Sequence, residues 1–326
     1  MRLLKLIPVF TLIVACTISA QAQRYTFMVT GDDRSSGMPG RTGLDENGVN
    51  KTIMKEIVSE TLRLKPKFLL FNGDLVAGYT TEDVFKSQLA GWLDIMKPVY
   101  AAGIHVYPVR GNHDAYSKNA EKVWNEVFSG SYALPKNGPE QEKNLTFAAN
   151  EENALIIAVD QWDSHEHAVN QRWLNEVLAK NKQPIILTLG HEMAFMAGHH
   201  TDCLDNNAYA RDTFINSLAA AGARVYLAGH DHFYDHMEIT DSKNHPNVNI
   251  HQFVVGTAGA PFYDGSQYTG NNGSWQLNQV KHIQNTYGYM IGEVDGLNVK
   301  LTFYGRTAPN VYEPMDTFTY TAGTRK

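Results

Sequence analysis

Five short clusters of Asp, Asn and His stand out in this 326-residue chain, each directly after an apolar run. Residues 25–30 lead into Gly31-Asp32-Asp33, 68–71 into Asn72-Gly73-Asp74, and 105–109 towards Gly111-Asn112-His113-Asp114. Residues 185–189 lead into Gly190-His191-Glu192, and 224–227 towards Gly229-His230-Asp231-His232. Carboxylate and amide oxygens mixed with imidazole nitrogens suit divalent Zn, Mn or Fe, and no thiolate lies among them to select zinc alone. Two such ions about 3.5–4 Å apart can share one carboxylate and a hydroxide, and clamp both ends of an in-line displacement at phosphorus. A solvated surface would not place its Asp and His residues this way.

The apolar runs read as strands, with residues 155–160 a further buried one. Helical spacing fills the gaps at 50–64, 82–96, 118–128, 169–180 and 208–221. Within 82–96, Val84, Phe85, Leu89, Trp92, Leu93 and Met96 recur at three- and four-residue steps. This alternation predicts βα units and a mostly parallel central sheet. Ligands of such sheets bind beyond the carboxyl ends of the strands, so the five loops are expected to converge on one site. After His232 the pattern changes to shorter strands, among them 251–255, 289–293 and 298–303, which read as a second sheet completing a sandwich. No internal repeat or low-complexity linker divides residues 23–326, and one catalytic domain is the simplest partition.

Hydrophobic content of 43% with 19% charged residues is that of a globular protein. A formal net charge of −6 without a long basic run disfavours binding to a nucleic-acid backbone. Acidity does not exclude phosphate substrates, since bound cations can dominate the local field.

Residues 1–22 read as an export signal: Arg2 and Lys5, an apolar stretch over 6–15, and a small-x-small site at Ala20-Gln21-Ala22. The apolar stretch is far short of a membrane span, so no transmembrane segment is expected. Ile13-Val14-Ala15-Cys16 also resembles a bacterial lipoprotein box, which would give a lipid anchor through Cys16. Either route places the mature chain in the periplasm or outside the cell. The only other cysteine is Cys203, so disulfides are not expected to hold the fold.

In order, Gly31-Asp32, Gly73-Asp74, Gly111-Asn112-His113-Asp114, Gly190-His191 and Gly229-His230-Asp231-His232 resemble the motifs of the calcineurin-like metallophosphoesterases. The resemblance runs across nearly all of the chain after residue 22. It implies an α/β fold, a four-layer αββα sandwich with two mixed central sheets. It also implies two divalent metal ions and hydrolysis of a small phosphomono- or phosphodiester by a hydroxide bridging them. Carried over position by position, Asp74 matches the carboxylate that bridges both ions. Asp32 and His232 match ligands of the first ion; Asn112, His191 and His230 match ligands of the second. His113 matches the residue that contacts the phosphoryl group and assists the leaving group. Asp114 has two readings, orienting His113 or capping the helix that follows.

The first motif departs from the pattern. Many family members carry Asp-x-His there, and this chain has Asp32-Asp33-Arg34. Arg34 either clamps a phosphate oxygen through its guanidinium or forms a structural salt bridge with Asp33 or another loop carboxylate. The loss of that imidazole supports a second function, a secreted metal- or ligand-binding protein on a decayed phosphoesterase scaffold. Ala77 stands where purple acid phosphatases place a tyrosine, so a tyrosinate-bound ferric centre is not expected. His199, His200 and Asp202 read as a solvated loop, with lining of the substrate pocket as the alternative, and Glu192 as a residue behind the ligands. The glycine-rich 256–261 reads equally as a tight turn or as backbone approaching substrate.

Overall fold

The structure is a computed structural model that describes residues 23–35, 48–162, 167–241, 243–265 and 273–323. The export signal and the Cys16 anchor fall on residues 1–22, outside the described residues. Strands and helices alternate through β1 (Arg24–Thr30), α1 (Lys51–Leu64), β2 (Phe68–Phe71), α2 (Glu82–Ala101), β3 (His105–Pro108), α3 (Asn112–Ala115) and α4 (Ala120–Val127). They continue with β4 (Phe147–Glu151), β5 (Ala154–Ala158), α5 (Gln171–Lys180), β6 (Ile185–Leu189), α6 (Ala208–Ala220) and β7 (Val225–Ala228). The chain then turns to strands alone: β8 (Tyr234–Asp241), β9 (His245–Val255), β10 (Gln276–Ile283), β11 (Gly288–Asp295), β12 (Asn298–Ala308) and β13 (Val311–Thr321).

Six strands form one mixed sheet in the order β13-β12-β11-β1-β2-β3, and seven form another in the order β10-β8-β9-β7-β6-β5-β4. In the first, β1, β2 and β3 are parallel; in the second, β5, β6, β7 and β9 are parallel. The parallel strands are thus divided between two sheets rather than gathered in one. The strands after His232 likewise do not make a sheet of their own: β8 to β10 extend one sheet and β11 to β13 extend the other. Period-two patterning gives strand propensity but not partner choice, which depends on tertiary packing.

Side-chain alternation sets the layers. Ile156, Leu187 and Leu227 join the cluster shared with the other sheet, while Leu155, Ile157, Ile186, Tyr226 and Ala228 join Leu174, Leu178, Phe214 and Leu218 of α5 and α6. In the first sheet Phe27 stacks on Phe68 at 5.2 Å. On the opposite face, Thr61 of α1 reaches Met28 and Phe71 meets Trp92 of α2. The order is helices, sheet, sheet, helices. Among the described residues no helix is long and apolar enough to cross a membrane. Among the described residues Cys203 is a buried free thiol.

Candidate metal centre

All five clusters lie where β1, β2, β3, β6 and β7 end, and hydrogen bonds between the clusters lock the two sheets together there. Asn72 Nδ2 donates to the Ala228 carbonyl (2.8 Å) and His230 N to Asp32 Oδ1 (3.1 Å) across the sheets, while Gly229 N to His191 O (2.9 Å) and Asp32 N to Gly73 O (2.9 Å) tie neighbouring clusters within each sheet. The backbone is strained at this seam. Asp32, Asp74 and His230 take positive φ values of 59°, 53° and 73°, each costing on the order of 1 kcal/mol or more for a residue with a Cβ. Glycine beside them is a packing requirement. A Cβ at Gly111 would run into the Asp74 carboxylate, and one at Gly73 would sit 2.6 Å from His191 Nδ1.

The structure brings Asp32, Asp74, Asn112, His113, His191 and His232 together with Arg34. Donor atoms of Asp32, Asp74 and His191, all buried, lie within 4.8 Å of one another. His191 Nε2 is 3.5 Å from Asp74 Oδ1 and 3.2 Å from Asn112 Oδ1. Backbone carbonyls fix the tautomers: Nδ1 of His191 donates to Asn72 O (2.7 Å), of His232 to Pro261 O (2.6 Å), and of His113 to Ala77 O (2.5 Å). Each ring therefore presents a lone pair at Nε2, the arrangement that prepares imidazole for a metal.

Charge in this pocket is compressed. Burial, then the neighbouring Asp74, drives the Asp32 carboxyl well above the usual carboxylate range. Burial pushes in the same direction on Asp74, but His191, His113 and Arg34 outweigh it and hold that carboxyl below its ordinary value. Burial pushes Asp114 up to about 8 and depresses His113 to about 4 and His191 to about 3. Buried carboxyls beside neutral imidazoles are a donor set short of positive charge, and it fits a divalent cation among Asp74, Asn112, His191 and Asp32.

His230 sits apart from this set. Its ring lies 5.0 Å from that of His191, but its Nε2 faces the Asp202 carbonyl at 3.1 Å and the Asp202 carboxylate at 3.7 Å. Burial opposes charging His230, yet the bond to Asp202 prevails and raises its pKa. His200 stacks on it at 3.9 Å, so that His200, Asp202 and His230 form a second trio of close donors. The 199–202 segment stays largely solvated, with His199, Thr201 and Asp202 exposed, yet it also borders the site: His199 stacks on Tyr263, which stacks on His232.

Asp114 caps. One of its oxygens accepts the Gly111 N–H (2.9 Å) and the Leu75 N–H (3.2 Å), while Ala77 O orients the His113 ring. Arg34 does not pair with Asp33. Its Nε lies 3.3 Å from Asp74 Oδ2, and its Nη2 lies 3.4 Å from His232 Nε2 and donates to Tyr263 OH at 2.9 Å. The glycine-rich 256–261 supplies backbone to the site's frame, with Ala258 N on Gly31 O, Ala260 N on Asp32 O, and Pro261 O on His232. Glu192 is buried behind the ligands, paired with His167 at 2.8 Å.

Sequence reasoning missed Tyr263, Tyr116 and Trp162. Tyr79 packs edge-on to His113 at 4.8 Å and accepts from Asn112 Nδ2 at 3.0 Å; Tyr116 and Trp162 continue this aromatic rim towards His191. None follows a strand in a recognisable motif, and no signal in the sequence separates them from the chain's other aromatics.

Comparison with known proteins bears on the fold and the family. No curated protein matches the sequence. The fold is similar to a purple acid phosphatase from yellow lupin (Lupinus luteus) seeds, with a TM-score of 0.67 and 15% identity over 92% of this chain. This chain spans about half of that enzyme, 54% of its length. It is also similar to GAP50, the anchor in the inner membrane complex of Plasmodium, with a TM-score of 0.63 and 14% identity over 93% of this chain and 90% of that one. A dimetal phosphatase from Danio rerio gives a TM-score of 0.56 and 14% identity over 92% and 99% of the respective chains. At these identities the likeness is one of fold. The sequence itself matches the calcineurin-like phosphoesterase family over residues 26–234, more than half of its length, and the chain belongs to that family.

Proposed function

We propose that the chain is an exported, metal-dependent phosphoesterase acting on small phosphomono- or phosphodiesters. The observation that carries this reading is the buried convergence of Asp32, Asp74 and His191 donors within 4.8 Å, with His113 Nε2 at 4.0 Å from Asp74 Oδ2. A divalent cation held by these residues would supply Lewis-acid charge at the phosphoryl oxygens and acidify a water. Asp74 orders the site: its Oδ1 accepts the His113 N–H (3.0 Å), and its Oδ2 faces Arg34. Arg34 adds a fixed positive charge where negative charge develops. The buried His113 ring is neutral by itself, but a phosphate beside it favours the imidazolium. Its Nε2–H then donates to the departing oxygen, while Ala77 O holds the other side of the ring.

The test is a panel of mono- and diesters assayed on metal-stripped protein reconstituted with Mn, Zn, Fe or Mg in turn. The expected result is hydrolysis that chelation abolishes and at least one of these ions restores. Activity indifferent to chelators overturns the reading, and binding without turnover of any ester favours a binding protein on the same scaffold. Export rests on Arg2, Lys5, the apolar 6–15 and the Ala20-Gln21-Ala22 site. It is checked by the N-terminus of protein recovered outside the cytoplasm: Gln23, or a lipidated Cys16, is expected, and an intact Met1 refutes it.

A further inference from the structure

We infer that this centre holds one divalent ion per chain, with the Arg34 guanidinium standing permanently as the second cation. The inference rests on the metal-dependent reading above and concerns the number of ions. A pair of ions needs donor atoms free on both sides of Asp74. On one side they are free: Asp74 Oδ1, His191 Nε2 and Asn112 Oδ1 cluster together without a cationic side chain bonded among them.

On the other side the donors are already engaged. The His232 ring gives its Nδ1–H to Pro261 O, so its one lone pair is at Nε2, and Arg34 Nη2 lies on that atom at 3.4 Å. The second oxygen of Asp74 faces Arg34 Nε at 3.3 Å. Asp32 stands between the two positions: its carboxylate lies within 4.8 Å of the Asp74 and His191 donors, and its Oδ1, 3.7 Å from His232 Nε2, would complete a second set if the guanidinium were elsewhere. A guanidinium has no lone pair to ligate a metal and does not lose its proton, so it excludes a cation from these atoms instead of helping to bind one.

Arg34 is also held there. Its side chain is 8% exposed, its backbone bridges to Val49, and Tyr263, stacked on His232, accepts from Nη2. The first position of the family's pair is thus filled by part of the protein. Asp32 and Asp74 then face one arginine and one divalent ion, whose combined charge exceeds theirs by one.

The experiment counts metal. Full-length protein is loaded with excess Mn²⁺, desalted and analysed for manganese per chain. Electron paramagnetic resonance separates isolated ions from an exchange-coupled pair. One ion per chain with an uncoupled signal is expected, and Arg34→His is expected to rise to two ions with a coupled signal. Two coupled ions in the unaltered protein overturn the inference while leaving a metal-dependent enzyme in place. No bound ion in either protein overturns the metal-dependent reading itself. A variant that folds, by its thermal transition, yet still holds one ion shows that Arg34 is not what excludes the second. Should the variant fail to fold, the count on the unaltered protein decides alone.

Discussion

Replacing Asp74 by asparagine is expected to reduce kcat/KM for an aryl phosphate by about 10³-fold or more, some 4 kcal/mol of transition-state stabilisation. The magnitude follows from the number of groups that converge on one carboxylate. Asp74 faces His191 at 3.5 Å, Arg34 at 3.3 Å and His113 at 4.0 Å, and it is the acid whose charge these neighbours keep. Asparagine keeps an oxygen to accept the His113 N–H and tolerates the positive φ of 53°, so the seam between the sheets is preserved. The charge is lost, and with it the anion that attracts a divalent ion and partners Arg34. Circular dichroism and the thermal midpoint should stay near those of the unaltered protein while metal content falls. A variant turning over within tenfold of the original would show that Asp74 is not the centre of the site.

How much of this site the sequence revealed depends on the kind of signal. Asp32, Asp74, Asn112, His191 and His232 were legible because each follows an apolar strand, and parallel strands carry their ends to one edge. Division of those strands between two sheets did not obscure the site, because the two sheets' strand ends abut through Asn72 and Ala228. The orientation of His230 was not legible, since it depends on Asp202, a residue whose side chain is placed by the course of a loop. Tyr263 is a similar case: it lies 29 residues beyond Tyr234 at the start of β8 and reaches His232 only through tertiary folding. Arg34 was seen as a departure from pattern, but not that it would face Asp74 instead of the adjacent Asp33. Sequence adjacency favours the local pair, but Asp33 is equally buried and its carboxyl is turned to Asp114 and Trp92, which leaves Asp74 as the partner of Arg34.

Substitution of His113 by alanine is expected to affect substrates unequally. With a simple alkyl phosphate the loss should be about 10²–10³-fold, the range for removing a positioned proton donor. With 4-nitrophenyl phosphate it should be under tenfold, because that leaving group departs as a stable anion without needing the proton. The structure favours this selectivity over a uniform loss. His113 is bonded through Nδ1 to Ala77 O, and its ring packs against Tyr79 at 4.8 Å on the rim rather than among the closest metal donors. Its removal therefore leaves Asp32, Asp74, Asn112 and His191 in place, and metal content should not change. Asp74→Asn, by contrast, should lower both substrates alike and reduce metal content. The ratio of the two substrates' losses separates the roles. An equal fall for alkyl and nitrophenyl esters in the His113 variant would mean that the imidazole binds the phosphoryl group without delivering a proton to the oxygen that leaves.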